Sequence, residues 1–159
     1  MRPTEDGIGL QRAIREALAE AGVDLEKDKI DLFNCHATST PLGDASEAEA
    51  IFKLIGDKDI SKRAIITALK GNLGHMGAGA AIAESIMSMK SIETGSVSQI
   101  SNLAIDCSCR FGGRKAPEPS FLPLNFAVDS MSNQEINTVV KNTLCFGGMN
   151  MSAVFRRYN

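Results

Sequence analysis

From His75 to about Ile92 the chain runs almost without charge. Ala78, Ala80, Ala81, Ile82, Ala83, Ile86, Met87 and Met89 cover nearly every face of the helix this segment would form. Such a helix has no natural solvent side, so the fold is expected to set it as a central helix among other layers. Glu84 stands out in it. A carboxylate buried there must be paired, because an isolated charge removed from water costs far more than a small domain can absorb.

The flanking segments supply those layers. Ile8, Leu10, Ala13, Ile14, Ala17, Leu18 and Ala21 recur at helical spacing and Gly22 follows as a stop. Ile30, Leu32 and Phe33 form a short β-rich run that ends at Asn34-Cys35-His36, after which Thr38 to Pro41 argue against regular structure. Asp44 or Ser46 is the expected cap of a second helix, with Ala48, Ala50, Ile51, Leu54 and Ile55 as its apolar stripe. Ala64 to Leu69 reads as a buried strand. Pro117, Pro119, Pro123 and Gly112-Gly113 predict a long irregular excursion over residues 98–128. Two antiparallel strands, Ile136 to Leu144 and Met151 to Arg156, are expected on either side of Phe146-Gly147-Gly148. The order strand, helix, strand, helix and strand pair indicates an α/β protein with a mixed sheet layered with helices. With 159 residues, 43% of them hydrophobic, one domain is expected.

Charge and cysteine usage narrow the function classes. Seventeen basic against nineteen acidic residues leave no electrostatic footprint for nucleic acid. No apolar run approaches the length of a membrane span, and the first twenty residues are too polar for a secretory signal, so a soluble chain is expected. The cysteines at 35, 107, 109 and 145 lack the density of a secreted disulfide scaffold, which favours a reducing compartment and buried, inert thiols. Cys107-Ser108-Cys109 has the wrong spacing for a zinc knuckle, and no metal is expected. The Gly-rich start of the central helix lacks both Gly-x-Gly-x-x-Gly and a P-loop lysine, which argues against nucleotide binding.

The two histidines occupy a distinctive setting. His36 opens His36-Ala37-Thr38-Ser39-Thr40-Pro41-Leu42-Gly43-Asp44, and His75 closes Lys70-Gly71-Asn72-Leu73-Gly74-His75. Each follows a strand-like run and enters a loop of small residues, where side chains converge on ligands in layered α/β proteins. Together with Phe146-Gly147-Gly148-Met149-Asn150, this spacing resembles the second half of a β-ketoacyl-acyl-carrier-protein synthase, a condensing enzyme of the thiolase-like fold, over roughly residues 5 to 156. The resemblance implies that residues 1–159 form the C-terminal domain of such an enzyme, the cysteine nucleophile being carried by an N-terminal half outside this chain.

Under that resemblance His36 and His75 match the two histidines of a Cys-His-His site. Lys70 matches a lysine held in a polar network, with Asp44, Glu47 and Glu84 as its acidic members. Thr38 and Thr40 match hydroxyl residues beside the carrier's phosphopantetheine arm, and Phe146 matches a phenylalanine that gates the acyl pocket, with Gly147 and Gly148 lending it freedom. Two departures occur. Cys145 stands where the family pattern Asn-Ser-Phe-Gly-Phe-Gly-Gly has a glycine, and Gly77-Ala78-Gly79-Ala80-Ala81 replaces the usual Gly-Ala-Ala-Gly.

The implied function is a 3-oxoacyl-[acyl-carrier-protein] synthase of fatty-acid elongation, condensing malonyl carrier with an acyl group by decarboxylative Claisen chemistry. Decarboxylation generates an enolate, and its barrier falls if fixed donors already point at the oxygen where charge develops. Two imidazole N–H groups meet that need. His75, placed at the start of the central helix, would be kept neutral by the helix dipole. The implied partners are acyl carrier protein, malonyl and acyl thioesters, and a second copy in a homodimer. No cofactor is implied beyond the phosphopantetheine arm. Cytoplasm and mitochondrial matrix are both compatible compartments, and the chain alone is expected to be inactive. The alternative is a non-catalytic thiolase-fold partner that binds carrier protein or a synthase subunit. The geometry expected at the site is two imidazoles facing one cleft, Lys70 close behind and Phe146 at its edge.

Overall fold

A computed structural model describes residues 6–55, 64–103, 124–145 and 147–158. Its frame is one five-stranded sheet in the order β3-β2-β1-β4-β5. The strands are β1 (Leu32–Cys35), β2 (Ile65–Ala68), β3 (Asn125–Phe126), β4 (Thr138–Leu144) and β5 (Asn150–Arg156). β1 lies at the centre, parallel to both β2 and β4; β3 is parallel to β2, and β5 closes the other edge antiparallel to β4. The sheet is mixed, as the element order implies. β3 lies inside residues 98–128, for which the prolines and glycines predict irregular structure. Its two residues pair with Ile65 and Ile66, and Ala127 N–H continues the contact to Ile66 O, so a β2 edge with free backbone groups recruits a segment that has little strand signal of its own. Residues 104–123, which hold Cys107, Cys109 and the three prolines of that excursion, lie outside the described residues.

Strand alternation divides the side chains between two faces. Phe33, Cys35, Ile66, Ala68 and Val140 face one way and form a core with Leu10, Ile14 and Leu18 of α1 (Ile8–Glu20) and with Ala50, Ile51, Leu54 and Ile55 of α2 (Pro41–Ile55). Leu32, Ile65 and Val139 face the other way and pack with Ile92 of α4 (Ala80–Thr94), Val97 and Ile136. α1 ends as the Gly22 signal implies, with Gly22 at φ 66°. α2 starts earlier than Asp44 or Ser46. Pro41 opens the helix, where its missing N–H costs nothing, and Thr40 O accepts the Asp44 N–H of the first turn.

The central helix also differs from expectation. It begins at Ala80, after a one-turn helix α3 (Lys70–Leu73) and a 3₁₀ turn at Gly77–Gly79, rather than at His75. Its buried stripe is Ala80, Glu84, Ser88 and Ile92, spaced by four. The opposite face exposes Ile82, Ile86 and Met89, at 68%, 49% and 47% of their surface. Helix and sheet therefore meet across a stripe that holds the polar residues, while much of the apolar surface points away from the core. Among the described residues no helix is long and apolar enough to cross a membrane.

Gly7 caps α1 in the left-handed region at φ 61°, and a Cβ there would stand 2.4 Å from Ser46 O and 2.7 Å from Ala50 Cβ on α2. Gly22 is equally left-handed but has nothing within 4 Å. Gly7→Ala should therefore lower the unfolding free energy by about 2–4 kcal/mol, backbone strain plus steric clash. Gly22→Ala should lose only about 1–2 kcal/mol. Equal denaturation midpoints for the two variants would refute the close α1–α2 approach.

Candidate active site

The face of the sheet that meets α4 changes character along its length. On β1 it passes from Leu32 to Asn34, on β2 from Ile65 to Thr67, and on β4 from Val139 to Lys141, while α4 answers with Ile92, then Ser88, then Glu84. The apolar end anchors the helix. The polar end lies at the carboxyl ends of the parallel strands, where His36 follows β1 and Lys70 follows β2, the usual position for a ligand site in such sheets.

Glu84, 1% exposed, is the hub of this polar end. Lys70 Nζ donates to its Oε1 at 2.7 Å and also to the carbonyl oxygen of His36. Lys141 Nζ lies 2.7 Å from Oε2, an ion pair without hydrogen-bond alignment, and donates to the carbonyl oxygen of Asn142. Asn34 Nδ2 donates to Glu84 O and to Ser88 Oγ, both at 2.9 Å, which fixes the helix against β1.

The His36 loop is held from its other side by α2. Glu47, 2% exposed, accepts the backbone N–H groups of His36 and Ala37 through its two oxygens, each at 2.9 Å. Burial raises the Asp44 carboxyl to about 6, as does the neighbouring Glu47, while the backbone amides of Thr38, Thr40 and Ser39 act in the opposite sense. Thr38 and Thr40 join their hydroxyls at 3.2 Å, Thr40 exposed and Thr38 partly so. Ala37 and Ser39 have φ of 26° and 59°, unfavourable for residues with a Cβ. A strained loop held by buried carboxylates sets the direction in which His36 projects.

His36 and His75 meet. Their ring centroids are 5.9 Å apart and the planes stand at 87°, edge to face. His36 is half-buried, and its value is lowered to about 4, first by burial and then by the charges of Lys70 and Lys141. It is a neutral imidazole at any ordinary pH. His75 is exposed, on the loop between α3 and the 3₁₀ turn. Its Nδ1 accepts the Gly77 N–H at 3.1 Å, so in the neutral ring the proton sits on Nε2 as a donor. His75 does not stand at the start of α4, which begins at Ala80.

The structure thus brings His36, His75, Lys70, Glu84 and Glu47 together, with Asp44, Thr38 and Thr40 on the loop leading away. Phe146 lies outside the described residues. Gly147 and Gly148, at φ 88° and 83°, make the left-handed turn that joins β4 to β5. Cys35 is buried, and its thiol is pushed well up by burial and the charge of Glu47, so it is no ready nucleophile. Lys141, Asn34 and Ser88 are members of the network that motif reading misses. Two residues beyond Val139 on β4, Lys141 shares its face, and only the packing of α4 on that face turns it toward Glu84.

Residues 1–104 match the family model described as the β-ketoacyl synthase C-terminal domain. The chain belongs to that family. It is 32% identical over 154 residues to a mitochondrial 3-oxoacyl-[acyl-carrier-protein] synthase of Arabidopsis thaliana, covering 97% of this chain and 31% of that protein. A β-ketoacyl synthase from Burkholderia phymatum STM815 superposes with a TM-score of 0.77 at 27% identity, over 100% of this chain and 34% of that one. A type II polyketide synthase ketosynthase in complex with its acyl-carrier protein shares the fold, with a TM-score of 0.77 at 23% identity, over 99% and 35% of the two chains. This β-ketoacyl synthase chain spans about a third of the length of the curated relatives it matches.

Glu84→Ala leaves two buried ammonium groups without their carboxylate and should cost about 3–5 kcal/mol. A urea midpoint equal to that of the parent would show Glu84 to be solvated. Asp44 gives a pH test. Its folded value stands above the ordinary 3.8, so the folded state binds the proton more tightly, and that contribution, complete below the ordinary value, is lost as pH rises through about 6. Asp44→Asn removes this dependence. The stability difference should move in the variant's favour across that window and then level off, which melts in a series of buffers will reveal; a flat difference counts against the buried carboxyl.

Proposed function

We propose that this chain is the histidine-bearing portion of a 3-oxoacyl-[acyl-carrier-protein] synthase, which condenses malonyl carrier with an acyl group in fatty-acid elongation. The observation that carries the reading is the convergence of two imidazoles, edge to face at 5.9 Å, above a buried Lys70–Glu84 pair. In this reading both rings donate N–H to the thioester oxygen of the malonyl group. Loss of carbon dioxide leaves an enolate whose negative charge gathers on that oxygen; the enolate carbon then attacks the carbonyl of the acyl thioester, and the C–S bond breaks to release the cysteine thiolate that held the acyl group. Donors fixed in advance need no reorganisation as the charge forms.

The parts follow from their chemistry. Lys70 ties the His36 carbonyl to Glu84, so the strand end carrying His36 cannot drift. Thr38 and Thr40 offer hydroxyls to the amides of the phosphopantetheine arm, which the acyl carrier protein brings as the only prosthetic group. The acyl-pocket gate falls to Phe146 with Gly147 and Gly148, the role the family pattern assigns to these positions. The cysteine nucleophile comes from the remaining length of the synthase. Its seat is the exposed apolar face of α4, with Ile82, Ile86 and Met89, and a second copy completes a homodimer. The relatives named 3-oxoacyl-[acyl-carrier-protein] synthase and the neighbour that binds a carrier protein support this assignment.

Condensation needs a thiolate to hold the acyl group, whereas decarboxylation needs chiefly the oxyanion donors. The chain alone should therefore form no 3-oxoacyl product. Co-expression with the cysteine-bearing portion of a close relative should restore it, and His36→Ala or His75→Ala should reduce the restored rate by a factor on the order of 100 or more. A stable complex that binds carrier but yields no product with any acyl donor would replace the enzyme by a non-catalytic binding partner.

A further inference from the structure

Glu84 needs one cation and has two. Lys70 and Lys141 each approach one of its oxygens at 2.7 Å, and the three side chains are 6%, 2% and 1% exposed for Lys70, Lys141 and Glu84. The trio sums to one positive charge. Burying a second ammonium beside a carboxylate that the first already balances is unfavourable, so charge balance does not account for Lys141. Packing does not account for it either, since Val139, on the same face of the same strand, shows what an apolar solution looks like. The surroundings of the ammonium are polar. It donates to Asn142 O, and Asn34, its register partner on β1, keeps a buried Oδ1 without a hydrogen-bond partner.

The charged groups around His36 come from every neighbouring element. Lys70 opens α3, Glu84 is on α4, Lys141 is on β4, His75 is on the loop after α3, and Asp44 and Glu47 are on α2. Glu47 spends both oxygens on the backbone amides of His36 and Ala37, while Asp44 engages the amides of residues 38 to 40. We propose that Lys141 is a positioning residue of the histidine site: by clamping the second oxygen of Glu84 it keeps Lys70 aimed at the His36 carbonyl and sets an unbalanced positive charge against the imidazoles.

The consequence concerns protonation. A Lys70–Glu84 pair alone would be neutral, and an arriving malonyl carboxylate would pull His36 toward imidazolium. The surplus charge of Lys141 opposes that drift, in the sense its charge already has on the His36 ring. It also favours approach of the anionic malonyl group. This role deepens the synthase reading and rests on it for the use made of a neutral ring, but the clamp itself is measurable without turnover.

The chain has two histidines, so its imidazole NMR spectrum is simple to assign. In the unaltered chain His36 should stay neutral down to about pH 5, given its lowered value; a midpoint in the ordinary histidine range overturns the proposal outright. Lys141→Met, or Lys141→Gln if the first does not fold, should raise the His36 midpoint by on the order of half a unit or more. Lys141→Arg should restore it. A structural role alone would change the melting temperature and leave the titration in place, so an unmoved midpoint in a folded neutral variant, or an equal rise in Lys141→Arg, also overturns it. Because no product is measured, this result can fail while complementation succeeds, and the reverse.

Discussion

A carboxylate shut away from water between two ammonium groups is the interaction on which the rest of the site depends. Glu84 reaches back from α4 to Lys70 at the end of β2 and to Lys141 within β4, and Lys70 continues to the carbonyl of His36 at the end of β1. One side chain thereby ties a helix to three parallel strands at the edge where the histidines stand. Buried ion pairs of this kind add little net stability compared with apolar packing, yet breaking one is costly. They therefore hold a geometry more effectively than they hold a fold, and stability is left to the cores around Phe33 and Val139 on the two faces of the sheet.

The gradient on the α4 face explains how both tasks coexist. Near the start of the strands Leu32, Ile65 and Val139 meet Ile92; near their ends Asn34, Thr67 and Lys141 occupy the levels facing Ser88 and Glu84. Alternation every second residue on the strands and every fourth on the helix keeps the two surfaces in step. A shift of one strand residue would turn Asn34 and Lys141 into the Phe33 core, so the register that buries the apolar residues also aims the polar ones. The site is a continuation of the packing rather than an insertion into it.

Much of this was legible in the sequence because it depends on local pattern. Strand-like runs before His36 and Lys70, the helical stripe of α1 and the lone carboxylate in an uncharged helix all mark their positions without knowledge of neighbours. What escaped depends on neighbours. Lys141 reads as one more residue in a β-rich run until β4 is known to lie beside β1 and under α4. His75 reads as a helix start, yet the glycines at 74, 77 and 79 relax the chain into a loop and a 3₁₀ turn before α4 begins. Pro41 reads as a breaker, although at the first position of a helix it is well suited. The composition of α4 predicts a helix covered on every side; among the described residues Ile82, Ile86 and Met89 stay exposed.

The two imidazoles are supported in different ways, and the difference bears on their use. His36 is half-buried, on a loop with two left-handed non-glycine residues, pinned by Glu47 from one side and Lys70 from the other. His75 is exposed, and the only hydrogen bond its ring shows among the described residues is the one it accepts from Gly77. Strain at Ala37 and Ser39 in the His36 loop is sustained by buried carboxylate and ammonium groups, so the direction of the His36 ring is set before any ligand arrives. The His75 donor has its tautomer set but little packing to hold its plane. In the proposed synthase such a ring becomes a second fixed donor only where water is excluded from it, since an oxyanion contact in open solvent competes with water at little advantage. In the proposed synthase the rigid half of the donor pair is therefore His36, fixed in advance by Glu47 and Lys70, and His75 is the half that depends on a covering.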